Sequence, residues 1–216
     1  YGTGGGITYD STADDEYAEA LLKAQVLARR SADFRLVETM RWTPTDGIRL
    51  LDHHLTRLAG SADYFDVPLS LSGVRVALEH RTARLSEPIR LRLLVNRSGA
   101  FEIECQSLPS APPRPPRVEI DTVPVDPGDP FLRHKTTNRQ TYQEAVARHP
   151  EADDVILVNR RGEVTETTIA NLAVSIDGRW ITPPESSGCL PGVERADLLA
   201  RGIIEERVLS VDDLHS

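Results

Sequence analysis

At 216 residues the chain has room for one large domain or two small ones with a respectable buried core. With 39% hydrophobic and 27% charged residues it reads as globular, and a net charge of −8 speaks against general binding to nucleic acid or anionic membranes. No apolar run reaches the roughly 18 residues of a membrane span, and Cys105 and Cys189 have neither disulfide nor metal-site spacing, so a reducing, cytoplasmic setting without a metal is expected.

The chain begins at Tyr1, not Met, inside a glycine-rich run, which reads as part of a longer product. A helical pattern follows from about Ala13 to Arg30, with Ser11 or Thr12 as cap. Glu16, Glu19 and Lys23 fall on one face of it, and a solvated face with a Glu19–Lys23 pair accounts for them.

Residues 31–106 read as a small α+β domain. A strand over 34–42 turns at Thr43-Pro44-Thr45-Asp46-Gly47 and returns over Ile48–Leu51 as a hairpin. Asp52 is the expected cap of a helix with apolar positions Leu55, Leu58, Ala59, Ala62 and Phe65. A second helix, 71–83, precedes strands 89–95 and 100–105 around the Asn96–Gly99 turn. Residues 107–116 hold five of the fifteen prolines and predict an extended, semi-rigid linker.

Residues 117–216 predict a larger, β-rich domain. A strand at 117–123, a helix capped by Thr137 or Asn138 and running to Arg148, and strands at 154–159, 164–168, 170–176 and 180–182 come in turn. Asp177-Gly178 marks a hairpin. Leu190-Pro191-Gly192-Val193 opens a helix to Arg201, and a strand over 206–209 follows.

Singly, the polar residues say little. Lys135 is a loop lysine, Glu166 a strand carboxylate, Arg57 a surface arginine, and His53 and His54 are polar helix-start residues. No Walker A loop, dinucleotide fingerprint or Ser-His-Asp order is present.

Four motifs taken together say more. Arg57 in "HHLTRL", Lys135 in "HKTTNR", Glu166 and Asn171 in "GEVTETTIAN", and "LPGVER" at 190–195 resemble the class IV, or fold-type IV, pyridoxal phosphate aminotransferase-like family over residues 33–214. Within it, "FRLVETMRW", "HKTTNR" and "TETTIAN" are most similar to 4-amino-4-deoxychorismate lyase fused behind a para-aminobenzoate synthase component I. Residues 1–30 separately resemble the C-terminal tail of chorismate-utilising enzymes.

The resemblance implies a two-domain α+β fold of the D-amino acid aminotransferase-like kind, binding pyridoxal 5'-phosphate. Lys135 would hold the cofactor covalently and move the proton. Glu166 would pair with the pyridine nitrogen, and Arg57 and the amides of Val193 and Glu194 would bind the phosphate. Asn171 would fix the loop after Glu166. It further implies a carbon–oxygen lyase releasing pyruvate and para-aminobenzoate for folate synthesis, a homodimer, and fusion or association with the synthase component. Family members often carry Thr or Met where this chain has Glu194, and the family continues past Val208–Leu214 into an Asn-Ser-Leu-Arg-Gly-like segment lining the site. Two alternatives stay open: a D- or branched-chain amino acid aminotransferase, and a non-catalytic or truncated domain associated with the synthase.

Overall fold

The structure, a computed structural model, describes residues 33–214. The leader reading on residues 1–30, with its Glu16, Glu19 and Lys23 face, lies outside them. The chain divides into compact units Tyr1–Phe34 and Arg35–Ser216, and the regular elements of the described residues belong to the second. None of the described helices is long and apolar enough to cross a membrane.

Strand β1 (Leu36–Thr43) lies between β2 (Gly47–Ile48) and β3 (Ile89–Val95), and β4 (Phe101–Ser107) completes an antiparallel sheet of order β2-β1-β3-β4. The hairpin after Trp42 forms, but its return is two residues long, not four. Leu50 turns left-handed (φ 53°) and starts helix α1 (Leu51–Tyr64) before Asp52 is reached. Asp52 therefore sits in the first turn and caps nothing; a leucine held there costs on the order of 1 kcal/mol. The turn brings α1 against β1, with Leu55, Leu58, Ala62 and Phe65 buried at helical spacing. Helix α2 (Leu71–Thr82), capped by Ser70, packs on β4. Residues 108–117 carry no helix or strand.

Beyond the prolines, β5 (Val118–Ile120) runs parallel to β6 (Asp154–Val158), which pairs antiparallel with β7 (Val164–Thr167). A short helix not foreseen among the prolines, α3 (Pro130–Arg133), is capped by Asp129 with Pro130 at its first position. Helix α4 (Gln140–Arg148) buries Tyr142 and Ala145 against Leu132, Val155 and Leu157. Its cap position is Arg139, whose own side chain makes no capping bond, while Asn138 Oδ1 accepts from Gln140 N–H (3.4 Å). The last sheet, of order β10-β9-β8, comprises β8 (Val174–Ile176), β9 (Arg179–Thr182) and β10 (Ile204–Glu206). Its closing strand falls at 204–206 because Ile204 is the buried residue that pairs with Trp180, whereas Leu209 turns to accept from Val164 N–H. Helix α5 (Val193–Ala200) lies between β9 and β10.

One junction positions the chemistry. Val37 N–H donates to the carbonyl of Lys135 (2.9 Å), Thr137 N–H donates to that of Arg35, and Leu36 bridges Thr136. The backbone of Lys135 is thus bonded to the start of β1, tying the second half of the unit to the first.

Candidate active site

A cleft of about 340 Å³ opens between β1, α1, the Lys135 segment, β7 and the entrance of α5, and Arg57, Lys135, Glu166, Asn171, Val193 and Glu194 all line it. The six residues singled out in the sequence therefore share one cavity.

Lys135 is half-buried, and its amine makes no hydrogen bond or ion pair among the described residues. Burial lowers its pKa from the ordinary lysine value; the nearby Arg57 and Arg139 act in the same direction, against Glu38 and Glu166.

Glu166 faces the same cavity from β7, where all four residues are buried. The loop beyond is pinned by Asp154, whose Oδ1 accepts from the backbone and hydroxyl of Thr168. Only 3% of Glu166 is exposed. Tyr142 Oη donates to its Oε1 (2.7 Å), and Asn171 Nδ2 and Leu190 N–H donate to its Oε2 (3.2 Å each). The donors that bond it are neutral, and burial outweighs both them and the nearby charges of Lys135 and Arg139, pushing the carboxyl up to about 7. Asn171 also donates to the Leu190 carbonyl (2.9 Å), which ties the loop after β7 to the entrance of α5. Gly192 is required there: a Cβ would lie 1.7 Å from Asn171 Oδ1.

Arg57 is not the surface arginine that composition suggests, and His54, in the first turn of α1 as expected, is turned inward. His54 is buried and Arg57 partly buried, both against Glu38, which is only 2% exposed. Arg57 Nε and Nη2 donate to the two carboxylate oxygens (2.9 and 2.6 Å), and His54 Nδ1 lies 2.6 Å from Oε2. Burial alone would raise the Glu38 pKa, but the bonds from His54 and Arg57 outweigh it and hold it below the ordinary value. A third Arg57 bond, from Nη1 to the Pro191 carbonyl, leaves two of five N–H donors for a ligand.

Helix α5 begins at the same place. The first amides of a helix have no intrahelical acceptor, so those of Val193 and Glu194 are available to an anion. The Glu194 carboxylate, an awkward neighbour for an anion, is turned aside by Arg49, which donates to both its oxygens. Tyr142 and Arg139 are among the lining residues missed in the sequence. Tyr142 lies on the core face of α4, where an apolar stripe offers no hint of a polar partner 24 positions away. Arg139, donating to the Thr168 carbonyl and stacked 4.3 Å over the Tyr142 ring, follows Asn138 in the lysine motif itself.

An unpartnered amine, a buried carboxyl with no cation bonded to it, and a half-used guanidinium beside a helix N-terminus line one cleft. They fit a ligand with a carbonyl carbon, a basic ring nitrogen and a phosphate.

Comparison with known proteins gives consistent results. The amino-transferase class IV family matches residues 35–216. A Schizosaccharomyces pombe protein named "Putative aminodeoxychorismate lyase" is 32% identical over 168 residues, 73% of this chain and 70% of that protein. A "Probable branched-chain-amino-acid aminotransferase" of Thermotoga maritima is 30% identical over 173 residues, 74% of this chain but 63% of its own length. Among solved structures, a "Putative amino-acid aminotransferase" from Mesorhizobium loti superposes with a TM-score of 0.77 at 37% identity, covering 85% of this chain and 90% of that one. The architecture is that of the fold-type IV aminotransferases.

Proposed function

The chain belongs to the amino-transferase class IV family, and on that premise we propose that it is a pyridoxal phosphate-dependent lyase. Its substrate would be 4-amino-4-deoxychorismate and its products pyruvate and para-aminobenzoate. The observation that carries the cofactor assignment is the pair formed in one cleft by Lys135, whose amine is unpartnered among the described residues, and the buried carboxyl of Glu166, to which no cation is bonded among those residues. The lyase reaction is favoured by the likeness to the Schizosaccharomyces pombe protein, which extends over most of both chains.

Pyridoxal phosphate, when bound, supplies an electron sink for the pair left on an amine-bearing carbon. Lys135 holds it through Nζ, Glu166 meets its ring nitrogen, and Arg57 with the amides of Val193 and Glu194 receives its phosphate. A lysine amine whose pKa burial lowers gives up its proton more readily than an ordinary lysine, which suits it to proton exchange. Once the substrate amine has displaced it and freed its lone pair, Nζ would accept the proton from the amine-bearing ring carbon and return one to the enolpyruvyl methylene. The carbon–oxygen bond then breaks, pyruvate leaves, and the ring becomes aromatic.

A second reading, an amino acid aminotransferase, is supported by the 37% identity to the Mesorhizobium loti protein. Products separate the two: pyruvate with an aromatic amine for the lyase, a new amino acid from a 2-oxo acid for the aminotransferase. Lys135→Ala tests what they share. It is expected to abolish the borohydride-reducible cofactor adduct and to lower turnover by on the order of 10³-fold. Wild-type protein that stays colourless with added pyridoxal phosphate would sink both readings. A homodimer, a cytoplasmic setting, a role in folate synthesis and an association with para-aminobenzoate synthase component I complete the proposal. Light scattering of the protein alone and with that component tests the two assemblies.

A further inference from the structure

The side of the cleft formed by β1 carries cations that the proposed cofactor does not use. Alternation along β1 sends Thr39 and Arg41 to one face and Glu38 and Met40 to the other, and it is Thr39 and Arg41 that line the cleft. The register sets Arg41 directly opposite Arg90 of β3, so the two guanidinium groups project from the same face of adjacent strands. Like charges so placed repel each other, and an anion between them would relieve that repulsion.

Their neighbours have counter-ions. Arg92, opposite Thr39, is paired with Glu104, and Arg49 with Glu194. Arg41 and Arg90 have none among the described residues, and Arg90 Nε is buried without a hydrogen-bond acceptor. In a chain of net charge −8, two adjacent uncompensated arginines at the wall of the candidate site point to a ligand.

We propose that Arg41 and Arg90 form a carboxylate subsite on the β1–β3 wall of the cleft. It would receive a substrate carboxylate remote from the amine that meets Lys135. This rests on the lyase reading and deepens it: the substrate class is an amine bearing more than one carboxylate. Arg41, which reaches the cleft, makes the contact. Arg90 stands behind it and adds charge and a donor to the same oxygen pair. A branched-chain amino acid has nothing to place there, so the subsite also sets specificity between the two enzyme readings.

The test uses the full chain loaded with pyridoxal phosphate and titrates it with chorismate, which bears two carboxylates and no amine, and with benzoate, which bears one. The wild type is expected to bind chorismate more tightly than benzoate. Arg41→Gln should weaken chorismate by about tenfold to a hundredfold, the range of a charge-assisted hydrogen bond, with benzoate and cofactor loading unchanged. Arg41→Lys should recover part of the loss, since the charge returns without the fork. Arg90→Gln should act in the same direction and more weakly; because Arg90 lies within a central strand, its thermal unfolding is measured alongside, and exposed Arg41 carries the decision. Equal chorismate affinity in wild type and Arg41→Gln, or no wild-type preference over benzoate, overturns the subsite while cofactor loading leaves the lyase reading standing. Absence of the Lys135 adduct overturns the lyase reading instead, and the chorismate titration still reports on the arginines.

Discussion

Glu38 and Glu166 are two carboxylates equally removed from water beside one cleft, yet their protonation is driven in opposite directions. Glu38 lies below its ordinary value and Glu166 rises to about 7. The difference lies in the donors. Glu38 receives a guanidinium fork and an imidazole, so its charge is answered within the protein. Glu166 receives a phenol, an amide side chain and a backbone N–H, which satisfy its oxygens but not its charge. A buried charge without a counter-charge is expensive, and the protein leaves that expense where a cationic ligand atom could relieve it. Glu38 completes the framework that holds Arg57, and Glu166 has no ion-pair partner among the described residues.

Glu38→Ala should break the framework side most severely. It leaves Arg57 and His54 buried without their carboxylate, a loss of about 3–5 kcal/mol in denaturant unfolding. Glu38→Gln keeps the shape and should lose less. If both cost under about 1 kcal/mol, Glu38 does not hold Arg57 in solution as it does in the structure.

The Glu166 side is sharpened by pH. Its folded pKa lies above the ordinary 4.5, so between about 4.5 and about 7 the folded state binds the extra proton and stability falls as pH rises. Glu38, with a lowered folded value, contributes stability above 4.5 that is lost as pH falls. In the cofactor-free protein the Glu166 slope sums to about 3 kcal/mol, and Glu166→Gln should flatten it. In the loaded protein a ring nitrogen cation favours the ionised carboxylate, and the slope should vanish. A slope unchanged by loading would mean that Glu166 never meets that nitrogen.

The contrast also marks how far the sequence could be read. Lys135, Glu166 and Arg57 were legible as members of motifs, but not as contacts, because what joins them is long-range. Lys135 is set by bonds to β1 roughly a hundred positions earlier, and Glu166 by a tyrosine on the core face of α4. Glu38 did leave a trace. It interrupts the buried alternation of Leu36, Met40 and Trp42, and a charged residue at an inward position requires buried partners. That its partners are Arg57 and His54 depends on where α1 starts. Leu50, adopting a conformation leucine rarely takes, sets that start, and turn chemistry pointed to Asp52 instead. The Arg41–Arg90 pair was hidden for a related reason, since only the β1–β3 register makes neighbours of two arginines 49 positions apart.

The smallest effect belongs to the joint between the two sides, and Gly192→Ala isolates it. The backbone at 192 (φ −69°, ψ 135°) suits alanine, so no conformational strain is introduced. The methyl group instead meets Asn171, with Oδ1 at 1.7 Å and Cγ at 2.9 Å, and the side chain must leave. Its bonds to Glu166 and the Leu190 carbonyl go with it, a loss of about 1–3 kcal/mol. Glu166 then has one donor fewer for its ionised form, so the pH slope should extend above pH 7 in the same variant. Since the methyl acts only by expelling Asn171, the double variant Asn171→Ala/Gly192→Ala should unfold no more easily than Asn171→Ala alone. Additive losses would show that Gly192 is needed for the path of the chain into α5, and not for the bond that connects Glu166 to it.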